Sequence, residues 1–190
     1  NVSNEILVAG AMEDTLQLDS IKLASFGLAD MIIGKIVKRE TLKKITDNYK
    51  KRGKKVVFAN GCFDLIHVGH VRFLKSAKSK GDVLVVGLNS DRSVREIKGM
   101  GRPVIGQKDR AVILSAFRFV DYVTIFNEKD VRKTLEILRP THHAKGTDYT
   151  KDTVPEKEIS KKLGIQIVIV GDKKRHSTRD LIKTIREKYK

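Results

Sequence analysis

Two histidines, His67 and His70, close the stretch Phe58-Ala59-Asn60-Gly61-Cys62-Phe63-Asp64-Leu65-Ile66-His67-Val68-Gly69-His70. On a helix that begins near His67, side chains three residues apart project from one side of the first turn. Two imidazoles held there can donate to phosphate oxygens and stabilise charge building on an α-phosphate and on a departing pyrophosphate. The run before them is apolar and of strand length, and Gly61 then permits a tight turn at the strand's carboxyl end. Gly69 keeps the first helical turn free of a side chain, so that a polyphosphate can approach the main chain at a helix N-terminus. The same residues also read as one satisfied core histidine or as two zinc ligands, but zinc needs further ligands that the sequence does not place.

Other residues have a chemical and a structural reading side by side. Ser177 and Thr178 follow the basic loop of Lys173, Lys174 and Arg175 and precede the last helix, where they serve as an ordinary cap or as phosphate ligands. Lys98 and Arg102 flank Gly99 and Gly101 in a loop whose cations can close over a triphosphate or grip an acceptor phosphate, or simply face water. Asp91 either orients an acceptor or caps the short helix around Val94, and Asp64 either meets the acceptor or caps the glycine turn. Lys145, Gly146 and Asp148 follow an apolar strand and can line a base and ribose pocket, with Asp148 otherwise a turn residue. His142 and His143 alternate along that strand, so at most one faces a ligand, and Arg110 reads as an ion-pair or subunit-contact residue.

These groups need a scaffold, and the chain supplies one. Apolar runs at 56–59, 83–88, 122–126, 142–145 and 165–170 alternate with amphipathic segments at 69–80, 108–119, 128–138, 155–163 and 177–189. That alternation means βαβ units, hence an α/β fold with a mainly parallel sheet that binds ligands at the carboxyl ends of its strands. We expect a five-stranded Rossmann-like sheet in the order 3-2-1-4-5 with helices on both faces. Residues 1–37 read as an N-terminal helical extension, and 38–190 as the catalytic domain, opening on a basic amphipathic helix from 39 to 51.

Bulk properties narrow the function class. With 190 residues, 40% hydrophobic and 33% charged, the chain is one folded domain rather than a disordered polymer, and no apolar run is long enough to span a bilayer. One cysteine, Cys62, excludes an intrachain disulfide and a cysteine-rich zinc site, which fits a cytoplasmic protein. The formal net charge of +16 attracts polyanions, and most of the excess is lysine spread along solvated helix faces. A basic nucleic-acid-binding module is the rival of a different class; it lacks a base-reading motif and leaves the glycine-histidine turn without a purpose.

His67-Val68-Gly69-His70 after Gly61-Cys62-Phe63-Asp64 resembles the signature of the HxGH nucleotidyltransferases, which are cytidylyltransferase-like. The resemblance continues through Gly81-Asp82, Asn89-Ser90-Asp91, Lys98-Gly99, Arg102-Pro103, Lys145 to Tyr149 and His176-Ser177-Thr178. Within that group the chain is most similar to the adenylyltransferases of ADP-heptose synthesis, which occur alone or fused to a sugar kinase. That likeness implies transfer of AMP from ATP to heptose 1-phosphate with release of pyrophosphate, Mg²⁺ as cofactor bound with the triphosphate and by no protein side chain, and no covalent enzyme intermediate. It implies catalytic roles for His67, His70 and Lys98. Nucleotide binding falls to Gly61, Cys62, Phe63, Gly69, Lys145, Gly146, Asp148, Ser177 and Thr178, and acceptor binding to Asp64, Asp91 and Arg102. The expected partners are ATP or CTP and a small phosphorylated acceptor, with no membrane, no nucleic acid, and a second copy of the chain as a further candidate. Thr147 stands where that family usually has a second glycine, His142-His143 where it has a more apolar pair, and Arg179 where it has a second threonine. Arg118-Phe119-Val120-Asp121 resembles instead a motif of the glycerol-3-phosphate and phosphocholine cytidylyltransferases, which keeps CTP and an alcohol phosphate open as substrates.

Overall fold

β-Branched and aliphatic runs form the strands, and the computed structural model describes residues 34–172 and 178–189. Helix α1 (Arg39–Lys51) leads into β1 (Val56–Gly61), α2 (Val68–Lys78), β2 (Val83–Asn89) and α3 (Asp91–Lys98). Next come α4 (Gln107–Ser115), β3 (Tyr122–Phe126), α5 (Arg132–Leu138), β4 (His142–Gly146), α6 (Lys157–Lys162), β5 (Gln166–Val170) and α7 (Thr178–Lys188). The five strands form one parallel sheet in the order β3-β2-β1-β4-β5. This is the Rossmann-like architecture expected from the sequence. The proposed extension lies almost wholly in residues 1–33, outside the described residues; Ile36 already bridges to Val123 beside β3.

Strand alternation assigns the two cores. Val57, Ala59, Leu84, Val86, Leu88, Val123 and Ala144 point to one face, where they pack with Leu74 and Ala77 of α2 and with Ala111 and Leu114 of α4. Val56, Phe58, Val83, Val85 and Phe126 point to the other, against Leu42 of α1 and Leu135 and Leu138 of α5. Both faces are therefore covered, which is why the strands read as nearly continuous apolar runs. Two helices are shorter than the amphipathic pattern suggested. α4 stops at Ser115 rather than near 119, and α5 starts at Arg132 rather than near 128, where the Asp130 carboxylate accepts the Arg132 N–H at 3.0 Å and turns the chain.

The sheet order reverses between β1 and β4, whose crossovers run to opposite sides, and a crevice opens there at the carboxyl ends of the strands. Everything below concerns that crevice.

Candidate active site

Gly61 ends β1, and the turn that follows stores strain at two residues that are not glycine: φ is 44° at Phe63 and 29° at Leu65. The expectation that Gly61 makes the turn by its own backbone freedom is thus revised. Its missing side chain instead makes room for the Phe63 ring, which lies 3.2 Å from where a Cβ would stand. Phe63 is buried, and its ring leans on His70 with centroids 5.4 Å apart.

His67 is the N-cap of α2, and the two histidines tie down the helix end reciprocally. His67 Nδ1 accepts the Gly69 N–H at 3.1 Å, and His70 Nδ1 accepts the His67 N–H at 3.3 Å. The rings stack, with centroids 3.9 Å apart. A nitrogen that accepts an N–H carries no proton, so each ring holds its proton on Nε2 and offers that N–H as a donor. Gly69 fits this geometry for a reason other than ligand approach alone: a Cβ there would stand 2.9 Å from Cε1 of His67.

Asp64 changes role. Its side chain is fully buried; it pairs with Arg102 Nε at 2.6 Å and accepts the N–H groups of Leu65, Val104 and Ile105 at 3.0 to 3.2 Å. Both oxygens are engaged within the chain, where Asp64 clamps the 99–106 loop over the glycine turn and aims Arg102. Asp91 is the second correction. Its Oδ1 pairs with Arg110 at 2.6 Å, and it does not line the crevice. Arg110 is fully buried and also donates to the carbonyls of Cys62, Asn89 and Ile105, fastening the glycine turn, β2 and the loop together. The ion-pair reading of Arg110 holds, and at zero exposure its charge must be satisfied from within the chain.

A cleft of about 980 Å³ joins these parts. Gly61, Cys62, Phe63, Asp64, His67, Gly69, His70, Lys98, Arg102, Lys145, Gly146, Asp148 and Thr178 all line it, and Ser177 lies outside the described residues. Lys98 is exposed at the end of α3 and makes no ion pair among the described residues. Arg102 keeps its terminal nitrogens without hydrogen bonds among them. Burial pushes the Cys62 thiol up, only partly offset by Lys98, Arg110 and Arg102, so it stays protonated and is no nucleophile.

On the other wall, Lys145 Nζ meets Glu156 at 3.1 Å, with exposures of 10% and 7%, and stands 4.9 Å over the Tyr149 ring. Glu156 escaped the sequence reading, because nothing in its spacing from Lys145 marks them as partners. Gly146 leaves space that the Asp148 carboxylate fills, at 2.7 Å from a hypothetical Cβ. His143 is buried and His142 half-buried, and burial pushes the His143 pKa down to about 3. Among the described residues no three His, Cys, Asp or Glu side chains cluster to hold a metal, and no helix is long and apolar enough to cross a membrane.

The cytidylyltransferase-like family profile matches residues 58–190, from the second half of β1 through α7. The chain belongs to the cytidylyltransferase-like family. This nucleotidyltransferase is 39% identical over its whole length to the bifunctional protein HldE of Syntrophotalea carbinolica, of which it spans 39%. It is 47% identical over 152 residues to the HldE of Geotalea uraniireducens, covering 80% of this chain and 31% of that one. The chain thus spans about two fifths or less of these relatives. The crystal structure of the lipopolysaccharide core biosynthesis protein from Thermoplasma volcanium matches with TM-score 0.55 at 28% identity, over 64% of this chain and 100% of that one. Pantoate-beta-alanine ligase from Francisella tularensis shares the fold alone, with TM-score 0.59 at 18% identity over 77% of this chain and 72% of the other.

Proposed function

We propose that this nucleotidyltransferase moves AMP from ATP to a sugar 1-phosphate, heptose 1-phosphate in the first instance, and releases pyrophosphate. The observation that carries the reading is the reciprocal capping of α2, which fixes both imidazoles through Nδ1 at a helix N-terminus lining the cleft, with cationic Lys98 and Arg102 around the same cleft. An oxygen of the acceptor phosphate attacks the α-phosphorus; the bond from that phosphorus to the bridging oxygen breaks, and pyrophosphate leaves with the electron pair. Nε2–H of His67 and His70 donates to the oxygens on which charge grows, and Thr178 at the start of α7, with Ser177, receives the leaving group. Lys145, Gly146 and Asp148 face the base and ribose.

Mg²⁺ would enter with the triphosphate: the Asp64 carboxylate is engaged by Arg102, and among the described residues no three His, Cys, Asp or Glu side chains cluster to hold the ion by themselves. When bound it neutralises phosphate charge.

ATP is favoured over CTP by the relatives called HldE and by the position of the 118–121 segment. Asp121 accepts the Leu84 N–H at 2.6 Å and pairs with Lys78 at 2.6 Å, and Val120 is core, all at the amino ends of the strands away from the cleft. That segment serves packing and leaves base choice alone. The test is a panel of ATP and CTP against heptose 1-phosphate, glycerol 3-phosphate and phosphocholine, read as pyrophosphate formed. Turnover is expected with ATP and heptose 1-phosphate; a preference for CTP with an alcohol phosphate overturns the adenylyl assignment.

A further inference from the structure

His143 is buried in the middle of the sheet, where its ring lies 5.8 Å from that of Phe58. One ring nitrogen, Nε2, stands 2.9 Å from Asn60 Oδ1, and the other, Nδ1, has no partner. An amide oxygen only accepts, so Nε2 must carry the proton and Nδ1 is left as a bare acceptor. A leucine would fill this space without an unsatisfied polar atom, so the imidazole costs stability, and such a group calls for an explanation.

What the imidazole provides is a hold on Asn60. The amide has two ends; with Oδ1 committed to His143, Nδ2 is the remaining donor, and it has no hydrogen bond among the described residues. Asn60 is half-buried and lines the cleft. Along β1 its side chain alternates with those of Ala59 and Gly61, so it stands on the Phe58 face of the sheet, opposite the face that carries α2 and the histidine pair. In an in-line displacement the attacking oxygen approaches from the side of the α-phosphorus opposite the leaving pyrophosphate. With pyrophosphate at the α2 face, the acceptor comes from the Asn60 side, where Asn89 and Lys129 also line the cleft.

We propose that His143 is a positioning residue that fixes the Asn60 amide so that Nδ2 donates to an oxygen of the sugar phosphate acceptor. The inference rests on the proposed function and adds a determinant of acceptor binding to it. Because burial pushes the His143 pKa down to about 3, the ring stays neutral and in one tautomer through the working pH range.

The experiment compares wild type, His143→Leu, His143→Gln, Asn60→Ala and the His143→Leu/Asn60→Ala double variant, measuring kcat and both Michaelis constants with ATP and heptose 1-phosphate. His143→Leu is expected to raise KM for the sugar phosphate about 3- to 10-fold, the worth of one neutral hydrogen bond, with KM for ATP within about twofold. The folded protein should be at least as resistant to urea as wild type. His143→Gln, whose amide N–H can replace Nε2–H, restores most of the loss. Asn60→Ala raises the same constant, and the double variant goes no further than the larger single effect. An unchanged sugar phosphate KM in His143→Leu, or equal rises for both substrates, overturns the role of His143. Should His143→Leu not fold, Asn60→Ala decides: an unchanged acceptor constant there overturns it equally. Wild-type protein that releases no pyrophosphate with any sugar phosphate overturns the parent reading and this role with it, whereas wild-type turnover with flat variants overturns this role alone.

Discussion

His67 does two jobs with two nitrogens, and side chains exist that separate them. Nδ1 caps α2 through the Gly69 N–H at 3.1 Å, while the proposed mechanism assigns Nε2–H to the phosphates. Asparagine places an oxygen near the Nδ1 position and is among the best N-caps, but it has nothing at Nε2. His67→Asn should therefore keep the cap, losing at most the stack on His70 at 3.9 Å, worth about 0.5–1.5 kcal/mol. It should still lose one donor aimed at transition-state charge, which is worth about 10²–10³ in kcat. His67→Ala removes both and should add about 1 kcal/mol of destabilisation for the lost cap. The assay is pyrophosphate release under saturating substrates, paired with urea unfolding of each variant. His67→Asn turning over within a few-fold of wild type would refute the assignment of Nε2–H to the chemistry. A His67→Asn variant as unstable as His67→Ala would refute the capping geometry.

Gly69→Ala brings a Cβ to 2.9 Å from His67 Cε1, so the ring must move; kcat should fall at least about 10-fold although alanine favours helix by about 1 kcal/mol, and thermal unfolding near wild type beside full activity would contradict this. Lys145→Met leaves the Glu156 carboxylate, 7% exposed, unpaired and should cost about 3–5 kcal/mol in urea unfolding, whereas Lys145→Met with Glu156→Gln should cost less than that single change. The His143 ring titrates near 6.5 when unfolded and about 3 when folded, so above pH 6.5 it adds no pH dependence, and below it the unfolded state binds the proton first. Relative to His143→Leu, wild type should lose about 2 kcal/mol between pH 7 and pH 5, at about 1.4 kcal/mol per pH unit below 6.5, and parallel stability curves would show that the ring is not held neutral.

The histidine pair, the glycine turn and the strand order were legible because each rests on local sequence. A strand-length apolar run, a turn and a helix start are neighbours in the chain, and the alternation of apolar runs with amphipathic ones limits the topologies to a few. Helix ends were misjudged where a side chain intervened, as Asp130 does before α5, because the apolar period alone does not report such a bond. The family likeness implies an acceptor role for the two aspartates, beside the reading of each as a cap, and neither reading reports a long-range ion pair. Their arginine partners lie 38 and 19 residues away.

By itself the sequence determined the parallel sheet, the placement of His67 and His70 at the start of a helix, and the cationic loop that follows β2, since periodicity and spacing act over a few residues. The tertiary structure decided which charges are spent inside the protein and which remain for a ligand. Asp64, Asp91, Arg110 and Glu156 are each satisfied by a residue distant in the chain, while Lys98 and the outer nitrogens of Arg102 are left facing the cleft. The cause is physical: a buried charge is tolerable only with a partner, and partners are chosen by proximity in space, which no spacing along the chain encodes.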